Sequence, residues 1–221
     1  YEVCSDDDDD DVFSNNGTET VRFCKAVDSK SKGDFVICKI FDPTTLFEDK
    51  EDSDIKQNQR WYRQLLLIRE ALILHEIHHP TIVDFIGLDL YNNSIHFDED
   101  GDEHPNPIIF LEYLENKSIQ THITKKKLDL PAVKREICIL GISAAIRFIH
   151  DRKIIHRGLN PNTIWLDNNF YPKIFDFSTS RSVNIEIEKP KTIIYENSIF
   201  YKAPELFEPD KFFIFYFPHF M

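Results

Sequence analysis

The chain has 221 residues, 42% of them apolar, so it is long enough to form one large domain or two small lobes around a hydrophobic core. Its formal net charge of -12 argues against nucleic-acid and anionic membrane partners, which need a clustered positive field, and favours protein partners with basic surfaces. No apolar run reaches the ~18 to 20 residues that a membrane span requires. The cysteines lack metal-ligand spacing, which predicts reduced thiols in a cytoplasmic protein, not a zinc site or a disulfide framework: Cys4, Cys24, Cys38 and Cys138.

The first predicted elements are a β-hairpin and a long helix. The runs TETVRFCKAV and FVICKIF are rich in β-branched and aromatic residues, and the turn-like DSKSKGD separates them. Apolar residues then recur at helical spacing over residues 56–77, and the pattern stops near Pro80. This predicts an amphipathic helix whose apolar stripe carries Trp61, Leu65, Ile68 and Leu72.

Two strands and a second helix complete the pattern. The strand-like runs TIVDFIGLDL and PIIFLEY flank the polar insert FDEDGDEHPN. A helix is predicted over residues 131–151, because Pro131 suits a first turn and one face is apolar: Val133, Ile137, Leu140, Ala144 and Phe148. A sheet with one helix, followed by a helical part, predicts an α+β fold.

Three acidic segments interrupt these elements, at residues 6–11, 48–54 and 98–103. A calcium loop of the EF-hand type needs ligands spaced over about twelve residues around a central Gly, with a terminal Glu. None of the three segments has this spacing. They are predicted to be solvated loops.

Motifs in the first half resemble those of the protein kinase family. VICKIF resembles the third-strand lysine motif and points to Lys39, and REALILHEIHHPTIV resembles the long helix and points to Glu70. In that family the lysine holds the α and β phosphates of ATP, and the glutamate holds the lysine. FLEYLENKSI resembles the hinge, which places Leu111 at the gatekeeper position and implies that Glu112 to Leu114 offer backbone groups to adenine.

Three further motifs follow in the family's order. HRGLNPNTIWLD resembles the catalytic loop H-R-D-x-x-x-x-N, KIFDFS resembles the D-F-G that supplies the metal ligand Asp176, and YKAPE resembles A-P-E. The resemblance implies a bilobal fold, with an antiparallel-sheet N-lobe over residues 1–113 and a mainly helical C-lobe over residues 114–221. The family continues through several more helices, so this C-lobe is expected to be incomplete and the chain truncated.

The catalytic loop departs from the family at three positions, so no catalytic residue is expected to be intact. Gly158 stands where the family has the Asp that accepts the substrate proton. Asn160 replaces the lysine near the transferring phosphate, and Thr163 replaces the Asn that holds a second magnesium ion. Asp176 remains as a metal ligand, with Ser178 in place of the following Gly.

The phosphate-covering loop is also altered. When Val21 is placed at the valine that ends G-x-G-x-x-G-x-V, Ser14, Asn16 and Glu19 occupy the three glycine sites. A backbone meant to approach phosphates closely then carries side chains, and Glu19 adds a negative charge. A shifted alignment brings only Gly17 into the segment.

Two substitutions fall on the adenine-binding surfaces that the resemblance implies. Ile37 stands where the family has a small Ala, and Trp165 stands where it has Leu. Added bulk in a close-packed cleft costs roughly 1 to 3 kcal/mol unless something vacates the space. One hypothesis is that Ile37 and Trp165 fill the adenine slot without ATP. The other is that both side chains rotate away and pack elsewhere.

The favoured function is that of a cytoplasmic pseudokinase, a scaffold or allosteric partner of an active kinase or another signalling protein. HPTIVDFIG and FLEYLENKSI most resemble the tyrosine-kinase-like group of serine/threonine kinases. Two alternatives stay open. One is an ATP- and Mg2+-dependent kinase with weak residual phosphotransfer that uses Lys39, Glu70 and Asp176. The other is a truncated gene product without function.

Overall fold

The computed structural model describes residues 2–3, 12–15, 19–25, 35–41, 53–90, 96–97, 103–104, 107–125, 130–182 and 201. Side chains are described for residues 36–39, 64–90, 107–125, 130–182 and 201. Acidic segment 6–11 lies outside the described residues, and only the edges of the other two acidic segments are included. The A-P-E motif is likewise outside, apart from Tyr201.

The first part of the chain forms a six-stranded antiparallel sheet with one long helix. Its elements are β1 (Glu2–Val3), β2 (Val12–Asn15), β3 (Glu19–Lys25), β4 (Phe35–Phe41), α1 (Ser53–Glu76), β5 (Phe85–Asp89), β6 (His96–Phe97), β7 (Glu103–His104) and β8 (Ile108–Glu112). The strand order is β1-β3-β4-β8-β5, with β2 also paired to β3, while β6 and β7 pair with each other. Strands β3 and β4 pair from Glu19 opposite Phe41 to Lys25 opposite Phe35, which confirms the predicted hairpin.

Helix α1 confirms the predicted long helix, and it ends at Glu76, before Pro80. Its apolar stripe was assigned to the wrong face. Leu67, Ala71 and Leu74 are almost fully buried, whereas Leu72 is 44% exposed and Leu65 and Ile68 are only half-buried. The helix carries apolar residues on both faces, and packing against the sheet and the following part of the chain decides which face is buried.

The described second part of the chain contains two helices and four short strands: α2 (Ile119–Thr124), α3 (Ala132–Asp151), β9 (Ile154–Ile155), β10 (Ile164–Leu166), β11 (Pro172–Ile174) and β12 (Arg181–Ser182). Strand β10 pairs with β11, and β9 pairs with β12, both antiparallel. Ser118 caps α2 by accepting a hydrogen bond from the Thr121 amide.

Helix α3 was predicted correctly in extent but not in orientation. Pro131 is its N-cap and precedes the first turn, and the buried residues are Cys138, Ala145 and Ile149. The predicted apolar face is mostly exposed, with Val133 at 65% and Leu140 at 69% exposure. The sequence pattern therefore identified a surface stripe, because α3 is apolar on more than one side.

A shared core joins the two parts into the predicted bilobal α+β fold. One cluster of buried apolar residues draws on the sheet, on both long helices and on the β10-β11 hairpin: Ile37, Leu111, Leu67, Leu74, Ala145, Ile149, Trp165 and Ile174. Backbone hydrogen bonds add to this contact, because the Val83 amide donates to Ile174 and the Ile174 amide donates to Thr81, at 3.0 and 2.8 Å. The segment after α1 is thus fastened to β11.

The cysteine prediction holds for one described residue and fails for another. Cys138 is a free, buried thiol, and burial raises its pKa. Cys38 instead forms a disulfide bond, so the prediction of reduced thiols is wrong at this position. Cys38 lies in a central strand, where adjacent chain segments are within the distance that a disulfide spans.

Among the helices that the structure describes, none combines the length and apolar character needed to cross a bilayer.

Candidate active-site cleft

Lys39 and Glu70 meet in the interior of the first part. Strand β4 carries Lys39 and helix α1 carries Glu70, and the Lys39 Nζ lies 2.7 Å from the Glu70 Oε2. Both residues are buried, with exposures of 1% and 0%. A buried charge is stable only when it is paired and hydrogen-bonded, and this geometry supplies both conditions. The structure therefore brings together the pair that the sequence motifs pointed to.

Asp176 is the second carboxylate on Lys39. Its Oδ1 lies 2.7 Å from the Lys39 Nζ and also accepts hydrogen bonds from the Ser178 hydroxyl and amide, at 2.7 and 3.3 Å. Burial alone would raise the pKa of Asp176, but the Lys39 ammonium and the Ser178 hydrogen bond outweigh it and lower the pKa to about 2. Asp176 is therefore ionised at neutral pH.

Helix α1 is also connected directly to the segment that follows Asp176. The second oxygen of Glu70, Oε1, accepts a hydrogen bond from the Phe177 amide at 2.8 Å. One residue earlier on the helix, the Arg69 Nη2 donates to the Ser178 carbonyl at 2.7 Å. The Arg69 contact was missed by sequence reasoning, because a buried arginine on a helix has no distinctive spacing. These bonds hold α1 against the segment that follows Asp176.

The described residues offer a magnesium ion fewer side-chain ligands than the family does, since Thr163 stands at one of the two ligand positions and Asp176 remains at the other. Mg2+ requires several oxygen ligands at ~2.0 to 2.1 Å in octahedral geometry. The Asp176 Oδ1 is already engaged by an ammonium and a hydroxyl. Thr163, at the family's second metal-ligand position, has its hydroxyl within 3.0 Å of the Gly158 carbonyl. Among the side chains that the structure describes, no cluster of three His, Cys, Asp or Glu could hold a metal ion.

The loop that carries Gly158, Asn160 and Thr163 closes on itself through hydrogen bonds. The Asn160 Nδ2 donates to the Gly158 carbonyl at 2.8 Å, and the Asn160 amide donates to the Thr163 hydroxyl at 3.0 Å. The Thr163 hydroxyl is also 3.0 Å from the Asn160 carbonyl. The side chains that replace the family's catalytic groups thus satisfy the backbone of their own loop.

Ile37 and Trp165 are both buried in the shared core. Ile37 is 0% exposed in strand β4, opposite Leu111 of β8, and Trp165 is 2% exposed in β10. The Trp165 ring stacks on Phe175, with centroids 4.6 Å apart and an 18° angle between the planes. Its Nε1 donates to the Asn162 carbonyl at 3.0 Å. Because its one polar atom is satisfied, the indole can remain buried.

Two further residues were expected to contact adenine, and the structure describes the side chain of Leu114 but not that of Val21. Leu114 is fully buried in the same cluster as Ile37 and Trp165. The backbone of Val21 pairs with that of Lys39, but the Val21 side chain lies outside the described side chains. The same applies to Ser14 and Glu19 of the altered glycine loop, and Asn16 and Gly17 are outside altogether.

Glu112 has a structural role that sequence reasoning missed. Its carboxylate accepts a hydrogen bond from the Asp84 amide at 2.8 Å and lies 2.6 Å from the Lys173 Nζ. Lys173 comes from β11 and is 9% exposed, and it also approaches Asp84 at 3.8 Å. The end of the sheet is therefore bonded to the second part of the chain. The sequence gives no signal for a pair separated by this many residues.

His156 links the loop to the segment around Asp176. It is 2% exposed, its Nε2 lies 3.2 Å from the Phe175 carbonyl, and its ring packs edge-on against Phe177 at 4.7 Å. Burial lowers the pKa of His156 to about 4, in spite of the nearby Asp176 carboxylate. The imidazole is neutral at physiological pH. With Leu74 and Phe177, both fully buried, it belongs to one packed interior.

A buried lysine on a sheet strand pairs with a helix glutamate and with the Asp of an Asp-Phe segment. Together with an antiparallel sheet that precedes a helical part, this is the arrangement of a protein kinase domain. Residues 24–212 match the family model of the protein kinase domain, so the chain belongs to the protein kinase family. Members of this family use ATP and Mg2+ and act on protein partners or substrates.

Known serine/threonine kinases are similar to this chain. It is 29% identical over 127 residues to the probable serine/threonine-protein kinase kinX of Dictyostelium discoideum, across 58% of this chain and 10% of that protein. It is 27% identical over 188 residues to extracellular signal-regulated kinase 7 of Drosophila melanogaster, across 82% and 18%. It is 28% identical over 168 residues to serine/threonine-protein kinase 12 of Arabidopsis thaliana, across 75% and 32%. The chain thus spans a third or less of the length of these relatives.

Proposed function

We propose that this kinase domain is a pseudokinase, which acts through its shape as a scaffold or allosteric regulator in phosphorylation signalling. The observation that carries this proposal is the self-closed loop at Gly158. Gly158 offers no carboxylate to accept a proton, and the Asn160 and Thr163 side chains are bonded to the loop's own backbone. Phosphoryl transfer depends on positioning and electrostatic stabilisation, and this loop supplies neither.

The second element of the proposal concerns the nucleotide. Ile37 and Trp165 are packed in the shared core and would need to move before an adenine could enter between the surfaces that they line. The Trp165 stack on Phe175 and its bond to Asn162 oppose such a movement. Their burial in one cluster with Leu114 supports the hypothesis of a filled adenine slot. The domain is then complete without ATP or Mg2+.

The retained ion pair favours a second candidate, a serine/threonine kinase with weak residual phosphotransfer. Lys39 and Glu70 keep the geometry that the family uses to hold ATP phosphates, and Asp176 is ionised. Without the catalytic-loop residues, these three groups could still position the ATP phosphates and stabilise their charge. Several missing groups act together in this chemistry, so their loss removes most of the catalytic effect.

The partner and location belong to the same proposal. The net charge of -12 favours signalling proteins with basic surfaces, an active kinase among them, in the cytoplasm. We assign the lobes to residues 1–113 and 114–221, with the boundary just after β8. We place the chain in the tyrosine-kinase-like group, because of HPTIVDFIG and FLEYLENKSI. A charge-driven complex is expected to weaken as salt is raised, since exposed charges are screened beyond ~10 Å at 0.1 M.

The test is the thermal melt of the purified chain with and without ATP, repeated with Mg2+. A nucleotide at ~100 times its dissociation constant stabilises a folded protein by roughly 2.7 kcal/mol, which is about 5 to 10 °C in Tm for a chain of this size. We expect a cooperative melt that ATP leaves unchanged.

A clear shift with ATP that is lost in Lys39→Met would contradict the filled-slot proposal and favour the residual kinase. A shift that survives in Lys39→Met would mean that ATP binds elsewhere. The absence of any cooperative transition would point to the third possibility, a truncated product without a stable fold.

A further inference from the structure

Gly158 lies against the side chain of Thr179, on the segment that follows Asp176. A Cβ at position 158 would be 2.7 Å from the Thr179 Oγ1 and 3.8 Å from the Thr179 Cβ and the His156 Nδ1. Favourable contacts between such atoms are ~3.5 Å or longer. The hydroxyl of Thr179 therefore lies too close to the position of the Cβ atom that any other residue at position 158 would have.

Thr179 is held in this place by bonds on both sides. Its hydroxyl donates to the His156 carbonyl at 3.1 Å, and its own carbonyl accepts a hydrogen bond from the Arg157 Nε at 2.7 Å. The next residue repeats the contact, because the Ser180 hydroxyl donates to the same His156 carbonyl at 3.2 Å. Strands β9 and β12 then continue the pairing, with Arg181 opposite Ile155.

Moving the hydroxyl away has a structural cost. Rotation of Thr179 about χ1 moves the hydroxyl and breaks its bond to His156. Because Thr is branched at Cβ, one of the two other rotamers also puts the methyl group in the hydroxyl's place, toward Gly158. The backbone of Thr179 cannot retreat without losing the Arg157 bond or the strand pairing that follows. The glycine and the threonine therefore fit each other.

We propose that Gly158 and Thr179 are a matched pair, in which Thr179 closes the position where a kinase carries its catalytic carboxylate. A substitution at position 158 alone would then not restore a carboxylate in that position, because the new side chain would clash with Thr179. A side chain at 158 requires a smaller residue at 179. This inference concerns packing, so it stands or falls independently of whether ATP binds.

The experiment is a double-mutant cycle with Gly158→Ala, Thr179→Ala and the double variant, read as Tm by scanning calorimetry. With Thr179 present, we expect Gly158→Ala to lower the Tm by roughly 3 to 10 °C, the range for overpacking in a chain of this size. In the Thr179→Ala background, the same substitution is expected to cause no loss or a small gain, since Ala restricts the unfolded chain more than Gly does. The disappearance of the destabilising effect when Thr179 is shortened is the signature of the pair.

Thr179→Val is the matched control, because it keeps the branched bulk and removes the hydroxyl. Gly158→Ala is expected to remain destabilising in that background. Equal effects of Gly158→Ala in all three backgrounds would overturn the proposal. If Gly158→Ala alone does not fold, the double variant decides: a folded Gly158→Ala/Thr179→Ala chain supports the pair, and an unfolded one overturns it.

Discussion

At the scale of single residues, the site is held by one buried ammonium between two carboxylates. Lys39 contacts Glu70 and Asp176 at 2.7 Å each, and it is 1% exposed. In an active kinase a nucleotide and a metal ion share these contacts. Here the side chains of the protein balance one another, so Lys39 is expected to contribute to folding as well as to any binding.

Replacing Lys39 by Met tests that contribution. The substitution keeps most of the volume but removes the ammonium that pairs with Glu70 and Asp176, and breaking a buried pair in this way costs about 3 to 5 kcal/mol. We expect the free energy of unfolding to fall by that amount in urea titration. Arg147→Met is the control, because the Arg147–Asp151 pair is exposed and 4.0 Å apart and contributes about 0 to 1 kcal/mol. Equal effects of the two variants would contradict the structural role of Lys39.

His156 makes the stability of the fold depend on pH. Its pKa is lowered from 6.5 to about 4, so between these values the unfolded chain binds a proton that the folded chain does not. The stabilisation is fully present above pH 6.5 and is lost as the pH falls toward 4. We expect His156 alone to account for about 3 kcal/mol of that decrease.

The measurement is the free energy of unfolding across this pH range, in the native chain and in His156→Gln. The variant is expected to show a flatter pH profile, whatever its stability at pH 7. His79→Gln serves as the comparison, since burial also lowers the pKa of His79 but the group is less enclosed. A slope that His156→Gln leaves unchanged would show that other groups carry the pH dependence.

At the scale of elements, the sequence predicted the β3-β4 hairpin, the strands β5 and β8 and the two long helices. It did not predict α2 or the short strands β6, β7 and β9 to β12, and it did not predict which faces of the long helices are buried. The motifs that resemble the protein kinase family were enough to pair Lys39 with Glu70, and the structure places their side chains 2.7 Å apart. The stripes assigned to α1 and α3 were wrong, because each helix is apolar on more than one side. Tertiary packing selects the buried face, and a periodic pattern does not contain that information.

Helix α3 provides a direct test of the buried face. Ile149 is fully buried, and Ile149→Ala is expected to destabilise the fold by about 2 to 5 kcal/mol. Leu140 is 69% exposed, and Leu140→Ala is expected to change stability by no more than about 0.5 kcal/mol. Urea unfolding of the two variants measures the difference. A larger loss for Leu140→Ala would mean that another surface covers this side of α3.

Contacts between distant elements could not be predicted from sequence. Lys173 joins Glu112 and Asp84, and Arg69 joins Ser178, but none of these residues stands at an informative spacing. Each contact depends on how the second part of the chain meets the sheet. The same holds for Thr179, whose fit to Gly158 becomes visible only when the two loops are side by side.

At the scale of the whole molecule, the two lobes share one large core, and a smaller cluster of Val36, Cys38 and Ile108 lies in the first part. Ile37 and Leu74 of the first part and Ile149 and Trp165 of the second belong to one cluster, and backbone bonds between Thr81, Val83 and Ile174 cross the same boundary. Because the described core residues of both lobes pack in one cluster, the interior of each lobe depends on contacts with the other. The described fold is therefore expected to unfold as one unit.

This expectation is tested by following unfolding in urea with two spectroscopic probes and comparing the curves. Far-ultraviolet circular dichroism reports the helices and strands, and tryptophan fluorescence reports Trp61 and Trp165, of which Trp165 lies in the shared core. The two transitions are expected to have the same midpoint in urea. Two separate midpoints would show that the lobes are independent, and Trp165→Phe would then identify which transition the buried indole follows.

The free thiol of Cys138 offers a way to time the opening of the molecule. The Sγ lies on the buried side of α3, 3.8 Å from the Phe170 carbonyl, and burial raises its pKa. Alkylating reagents react with an exposed thiolate, so this cysteine becomes reactive only when α3 separates from the hairpin that carries Phe170. The rate at which Cys138 is labelled under native conditions therefore measures how often that separation occurs.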